Sequence, residues 1–462
     1  QPLPVTIAQQ RIWLLEQMED MDGAYNMPIC LQVQGEVKAD VLNQCIAFMM
    51  ERHESLRTTF RMIDEQPVQI VHESLPAQVE YEILEGSADI ESVIAQYIGQ
   101  PFDLVEGPLL RAKLIQRAPQ RQILLVVIHH IIADGWSLGI LTQEIASIYP
   151  ALAQGQMPQL PKLPIQVAAF SQWQRQLLQG EYLKAQLDYW QQQLGDAPAR
   201  LDLPTDRPRP ATQTFRGSTV SQSLPVQLSQ QISRFSQQAG VSLYMTLLAA
   251  FGVLLHRYSG QAEVLIGSPI ANRNHPQVQG LIGLFLNTLL LRLDCSDNPR
   301  FSDFLEQVKA ISLGAYAHQD APFEQLIEIL PSDRQQNTSP WFQVMFILQN
   351  NKEPDLLLPG IKVSPLDLDG SVAKFELTLS VEETEEGLVG EWEYNSDLFN
   401  RETIEQMATN FEQLLSELMK NAQSKIDQAS LLSINKQQQL LFLGIGSTVP
   451  DPLRPVHEWF EQ

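Results

Sequence analysis

The chain has 462 residues, 44% of them hydrophobic and 18% charged, with 24 glycines and 29 prolines; this is globular composition, long enough for two or more cores, and unlike a disordered or fibrous chain. Its 31 basic and 54 acidic side chains give a formal charge of −23, and no basic patch stands apart in the sequence, so a nucleic-acid partner is not expected. Three scattered cysteines, Cys30, Cys45 and Cys295, form neither a disulfide framework nor a CxxC metal site and suit buried thiols in a reducing cytoplasm.

In chain order, residues 1–10 are polar and contain proline, without the charged start and apolar run of a signal peptide. Asp40 can cap a helix whose Leu42, Cys45, Ile46 and Met49 recur at helical spacing. Residues 123–128 are a continuous β-branched and leucine run, which predicts a strand covered on both faces. A helix carrying Leu141, Ile145 and Ile148 follows, with Ser137 as its expected N-cap. The amphipathic helix with Leu183, Leu187, Trp190 and Leu194 stops at Gly195, and Pro198, Pro204, Pro208 and Pro210 then mark a linker.

Beyond that linker the pattern restarts with a helix over 242–258, strands over 264–268 and 288–293, a helix over 304–311 and a strand over 342–348. The longest apolar stretch, 243–255, is too short to span a bilayer and reads as a core helix, so no membrane is expected. Phe375, Leu377, Leu379 and Val381 alternate with polar residues and lead through Gly387 to Trp392 and Tyr394, an antiparallel hairpin. A last amphipathic helix carries Ile404, Met407, Phe411, Leu414 and Leu418, after which 424–462 loses periodicity and reads as a tail or linker. Alternating strands and helices without an internal repeat predict an α/β layer architecture.

The densest chemical signal is His129-His130-Ile131-Ile132-Ala133-Asp134-Gly135-Trp136-Ser137, between the apolar strand and the following helix. If the extended conformation persists through His130, the two rings point to opposite faces and cannot share a metal ion, so at most one does the chemistry. An isolated histidine is more often a satisfied core residue, but Asp134-Gly135 four residues on weighs against that. A neutral imidazole can accept the proton of an attacking amine, a contribution of about a hundred- to ten-thousand-fold, and His130 is the candidate. Asp134 either orients that ring or, the preferred reading, pairs with a buried arginine and holds the loop, while Gly135 allows close backbone approach to a reacting acyl group. Gly135-Trp136-Ser137-Leu138-Gly139 also matches the G-x-S-x-G nucleophile elbow, which offers a serine hydrolase as a second enzyme class. An elbow follows its strand directly, whereas here residues 131–134 intervene.

The motif resembles the His-His-x-x-x-Asp-Gly signature of condensation domains of nonribosomal peptide synthetases. Other segments agree in order: Ile7-Ala8-Gln9-Gln10-Arg11-Ile12-Trp13 resembles the family's first motif and Arg52-His53-Glu54-Ser55-Leu56-Arg57-Thr58-Thr59-Phe60 its second. Ile282-Gly283-Leu284-Phe285-Leu286-Asn287-Thr288 is similar to the fifth, and His318-Gln319-Asp320-Ala321-Pro322-Phe323-Glu324 to the sixth. Two places depart from the pattern. Val167-Ala168-Ala169-Phe170-Ser171-Gln172-Trp173 lacks the usual Tyr and Asp of the fourth motif, and Asn337-Thr338-Ser339-Pro340 replaces Asn-Pro-Leu in the seventh.

The resemblance implies an α/β fold of two chloramphenicol-acetyltransferase-like lobes in a V, each a mixed β-sheet flanked by helices, with a tunnel between them. The first lobe would be residues 1–178, carrying the motif. The second would be 179–423, including the linker 196–217 and crossover segments, and 424–462 would lead into a following adenylation domain, whose opening Val456-His457-Glu458-Trp459-Phe460-Glu461 resembles. His130 and Gly135 would be catalytic, supported by His129 and Asp134, with Arg57 or Arg52 as the ion-pair partner of Asp134. The domain itself would bind no cofactor and no metal. Substrates would arrive on 4′-phosphopantetheine arms of an upstream donor and a downstream acceptor peptidyl carrier protein, and one new amide would form; excised, the domain would be a cytoplasmic monomer. An epimerisation domain of the same fold and a non-catalytic recruitment scaffold are the remaining alternatives. The segment with Ala24-Tyr25-Asn26-Met27-Pro28 resembles members that take an L-configured donor and an L-configured acceptor.

Overall fold

The computed structural model describes residues 2–18, 23–84, 89–198, 200–210, 213–329, 342–349, 356, 358–366 and 372–444. The residues of the seventh motif and the adenylation-like segment 456–461 lie outside these. The fold is mixed α/β with open sheets. The strand Arg121–His129 is central to a five-stranded sheet, between Asn26–Gln34 and Leu110–Ala118, with Lys362–Pro365 and Val79–Ile83 at the edges. All its pairings are antiparallel except that of Val79–Ile83 with Leu110–Ala118.

The reason for the unbroken apolar run is visible in its two faces. Leu124, Val126 and Ile128 pack with the helices Ala39–Arg52 and Gly135–Ala153, while Ile123, Leu125 and Val127 pack with Ile94 and Tyr97 of the helix Ile90–Gly99. A strand buried on both sides has no solvent face to alternate with. The helix Ala39–Arg52 begins one residue before Asp40, with Lys38 at the cap position, so Asp40 sits in the first turn and acts on the helix dipole instead of capping it. A small antiparallel sheet of Pro2–Pro4, Gln66–Val71 and Thr58–Ile63 closes one side.

The second sheet has six strands in the order Asn287–Asp294, Glu263–Ile270, Val344–Gln349, Leu377–Thr384, Gly387–Asn395 and Gly217–Ser223. Val344–Gln349 runs parallel to both neighbours and the remaining pairs are antiparallel. Trp392 projects to the helical side, edge-on to Phe251 and Phe411 of the helices Leu243–Ser259 and Arg401–Lys420. Residues Met245 to Leu255 of the first of these are all buried, as expected of a core helix, with Ser242 as its cap and left-handed Gly260 as its stop. No single helix among the described residues is long and apolar enough to cross a membrane.

The two halves are interleaved. Ile282, Leu284, Leu356 and Leu358 belong to the core of the five-stranded sheet, and Lys362–Pro365 is one of its strands. The proline-rich stretch after Gly195 packs down: Leu201 and Leu203 are buried in the second core, and Arg207 donates to the carbonyls of Ser396 and Phe399. The expected tail also begins as structure, because Ile426 and Ala429 are buried there and Ile434–Gly444 is helical.

Candidate active site

The strand ends at His129, and residues His130–Ile132 form a single 3-10 turn before the helix Gly135–Ala153. The extended conformation therefore stops one residue short of His130. His129 is buried, its Nε2 is 3.1 Å from Glu16 Oε1, and its Nδ1 accepts the Ile131 N–H at 3.2 Å. His130 is half-buried; its backbone N–H donates to the Tyr25 carbonyl at 2.9 Å, and its Nδ1 lies 2.7 Å from the Ala133 carbonyl. The Tyr25 ring is near both, 6.2 Å from the His129 imidazole and 6.5 Å from that of His130.

A carbonyl oxygen can only accept, so the proton of neutral His130 is on Nδ1 and the Nε2 lone pair is left for a substrate. Burial, and then the positive charge of Lys374, push the His130 pKa down to about 4, so the ring is neutral at physiological pH. Gly135 is exposed at the first position of its helix, and a Cβ built there would meet nothing within 4 Å.

Asp134 is buried and N-caps the helix, its Oδ1 accepting from Ser137 N at 2.9 Å and Ser137 Oγ at 2.7 Å. Ser137 itself occupies the third helical position, which corrects its expected role as the cap. The cation facing Asp134 is Arg273, whose Nη2 is 2.9 Å from Oδ1 with both side chains 2% exposed. Neither arginine of the second motif reaches Asp134. Arg52 is held by Glu144 at 2.8 Å, and Arg57 donates to the carbonyls of Met50 and His72 beside Glu54. Both are consumed by groups within the first half, while the fold brings Arg273 in from the loop after Glu263–Ile270.

Arg273 also donates to the carbonyls of Val278 at 2.8 Å and Leu281 at 2.6 Å, and the other Asp134 oxygen accepts the Phe285 N–H at 3.1 Å. Asp134 thus fastens the motif loop to the segment that resembles the fifth motif. Ser137 Oγ is saturated by Asp134, by Arg273 at 3.0 Å and by the Gly283 backbone N–H at 3.1 Å. It is 1% exposed and has no histidine partner among the described residues, unlike an elbow nucleophile. Asn287 bonds the Gln319 and Ala321 carbonyls, each at 2.8 Å, and so joins the fifth and sixth motifs as a structural residue.

Glu16, Arg273 and Lys374 were not singled out by the sequence. Each reaches the site from far along the chain without a local pattern around it; only the need of Asp134 for a buried arginine signalled Arg273. Among the described residues no group of His, Cys, Asp and Glu could hold a metal ion. Burial pushes all three cysteine thiols up to about 12, as inert thiols require.

The family model of the condensation domain matches residues 1–441. A linear gramicidin synthase protein of Brevibacillus parabrevis is 42% identical over 447 residues, 95% of this chain, although the chain spans only 6% of that synthase. The X-domain from teicoplanin biosynthesis superposes with a TM-score of 0.86 at 25% identity, covering 94% of this chain and 98% of that one. The first condensation domain of the calcium-dependent antibiotic synthetase, solved with a substrate analogue, shares the fold with a TM-score of 0.78 at 19% identity, covering 94% of this chain and 100% of that one. A match along nearly the whole length, together with Asp134 tying the histidine-motif loop to the segment that resembles the fifth motif, places the chain in the condensation-domain family of nonribosomal peptide synthetases, the amide-forming acyltransferases of those assemblies.

Proposed function

We propose that the chain joins a donor acyl or peptidyl thioester to the α-amino group of an acceptor aminoacyl thioester, both presented on phosphopantetheine arms of carrier proteins. The observation that carries this reading is the Nε2 lone pair of His130, fixed by the 2.7 Å bond from Nδ1 to the Ala133 carbonyl. The amine nitrogen attacks the thioester carbon, forming the C–N bond, and its proton moves to His130 Nε2. The tetrahedral oxyanion then collapses, the C–S bond breaks, and the donor arm's thiolate takes the proton from His130. The domain needs no cofactor of its own, since the arms belong to the carriers. The open space beside Gly135 would leave room for the backbone of a reacting chain to approach the start of the helix.

Positioning contributes more than proton transfer. Holding two tethered reactants together can supply on the order of 7 to 11 kcal/mol, more than one proton acceptor does. On this reading the halves 1–178 and 179–423 act as two lobes with the arms meeting between them, and adenylation and carrier domains are its neighbours in a longer synthetase. Intact-mass analysis of an acceptor carrier mixed with donor-loaded carrier tests this. The acceptor should gain the donor acyl mass with wild-type protein, and His130→Ala should slow that gain at least about 100-fold. An unchanged rate in the variant removes His130 from the reaction, and an inverted α-carbon with no mass gain would favour epimerisation.

A further inference from the structure

The six-stranded sheet sends one cation toward His130. Lys374 stands just before the strand Leu377–Thr384, and its backbone is pinned on both sides: the Ala373 N–H donates to Phe215 at 3.0 Å, Gln213 Nε2 donates to the Lys374 carbonyl at 3.2 Å, and Glu376 is gripped by Arg209 at 3.0 and 2.9 Å. With the main chain fixed, the side chain alone crosses to the first half, where Nζ lies 5.2 Å from the centre of the Tyr25 ring. That tyrosine is the one whose carbonyl holds His130 N and whose ring flanks both imidazoles.

Lys374 is half-buried, yet among the described residues no carboxylate lies within ion-pair distance of it; its charge is met at longer range by Glu393, of the strand Gly387–Asn395. Arg111 and Arg175, also half-buried, donate instead to backbone carbonyls, and two other cations meet a carboxylate. Arg273 has Asp134 and Arg209 has Glu376 in direct contact. Burial brings the ammonium pKa down only to about 8, with Glu393 acting to raise it and Arg11 to lower it, so the group remains charged at neutral pH. A desolvated cation without a contact counter-ion is costly to keep unless an anion arrives during function. The reaction proposed above makes one such anion, at the donor carbonyl.

We propose that Lys374 is a catalytic residue of the second lobe that binds the oxyanion formed on the donor carbonyl, completing across the interface the site begun by His130. As the C–N bond forms, the carbonyl π pair moves onto oxygen opposite the Lys374 ammonium, while the amine proton goes to His130. When the C–S bond breaks the pair returns to the carbonyl, and Lys374 keeps its proton throughout. This inference rests on the amide-forming reading.

Single-turnover amide formation between loaded carriers at pH 7.5 tests it, with wild type, Lys374→Met, Lys374→Gln and Lys374→Arg compared. Lys374→Met and Lys374→Gln should each lose about 100-fold or more in rate, with unchanged apparent affinity for either carrier and unchanged melting temperature, and Lys374→Arg should recover at least about tenfold of the loss. Rates within about threefold of wild type, a loss that parallels a lowered melting temperature, or no recovery with arginine would each overturn the proposal. Failure of the wild-type protein to make the amide instead strikes the underlying reading and says nothing against Lys374.

Discussion

His129 and His130 are adjacent in the chain but carry their protons on opposite ring nitrogens. His129 Nδ1 accepts from Ile131 N–H at 3.2 Å and so points a protonated Nε2 at Glu16, whereas His130 Nδ1 donates to Ala133 and leaves Nε2 bare. The first histidine is a fastener: it ties the end of the strand to the helix Ile7–Met18 and stabilises the turn that aims the second.

That division of labour predicts a distinct NMR signature. At neutral pH, nitrogen-15 spectra should show the His130 ring neutral with its proton on Nδ1, and an Nε2-protonated tautomer at His130 would contradict the assignment of Nε2 as the proton acceptor. His129→Ala should reduce amide formation by about 10- to 100-fold through misplacement of His130, without abolishing it. A loss as complete as that of His130→Ala would make both rings participants.

Asp134 and Arg273 form a buried pair that links the motif loop to the segment 278–285. Asp134→Ala leaves the guanidinium desolvated and uncompensated and should cost about 3–5 kcal/mol in urea denaturation, with activity falling alongside. Arg57→Ala should leave the Asp134 contacts intact and cost less, since Arg57 serves only carbonyls and the neighbouring Glu54. Equal losses for Asp134→Ala and Arg57→Ala would argue against this allocation of partners.

Ser137 is fully committed to Asp134, Gly283 and Arg273, so it has no lone role as a nucleophile. Ser137→Ala should retain amide formation within about tenfold and lose about 1–3 kcal/mol of stability from the broken bridge. Covalent labelling of Ser137 by a fluorophosphonate would reverse that conclusion.

The sequence announced what is local and left unannounced what is assembled. The strand before His129 was legible because burial on both faces removes alternation, and the helix Leu243–Ser259 because its cap, apolar run and glycine stop are contiguous. The identity of the arginine facing Asp134 was not legible, because ion pairing is decided by which loop the fold lays over the motif. Arg52 and Arg57 were nearer in sequence, but Glu144 and local carbonyls had already claimed them. The cap position differs from the sequence expectation for a related reason: Asp134 and Ser137 are both good caps, and the aspartate, three residues earlier, takes the helix start and binds the serine itself. The site's second-half contribution, Lys374, sits in a strand-flanking segment whose alternation speaks only of the sheet.

The pH dependence follows from the charges around His130. Burial and the Lys374 ammonium hold its folded pKa near 4, with Asp134 opposing them, so the proton-accepting form persists as pH falls well below the usual histidine range near 6.5. Amide formation should therefore be insensitive to His130 protonation between about pH 5 and 7.5 and collapse near pH 4. Stability should respond sooner. The unfolded chain binds a proton at His130 near pH 6.5 while the folded chain does not until about 4, so this residue's contribution is complete above 6.5 and is lost as pH falls through that window. On the alkaline side the rate should fall above about 8, where Lys374 gives up its charge. Lys374→Met should remove that alkaline limb and shift the acid limb upward, because one of the two forces holding His130 neutral is gone. Single-turnover rates across pH 3.5 to 9, with both carriers saturating, check the pattern; an acid limb near 6.5 in the wild-type protein would mean that the imidazole is solvated and free of the Lys374 field.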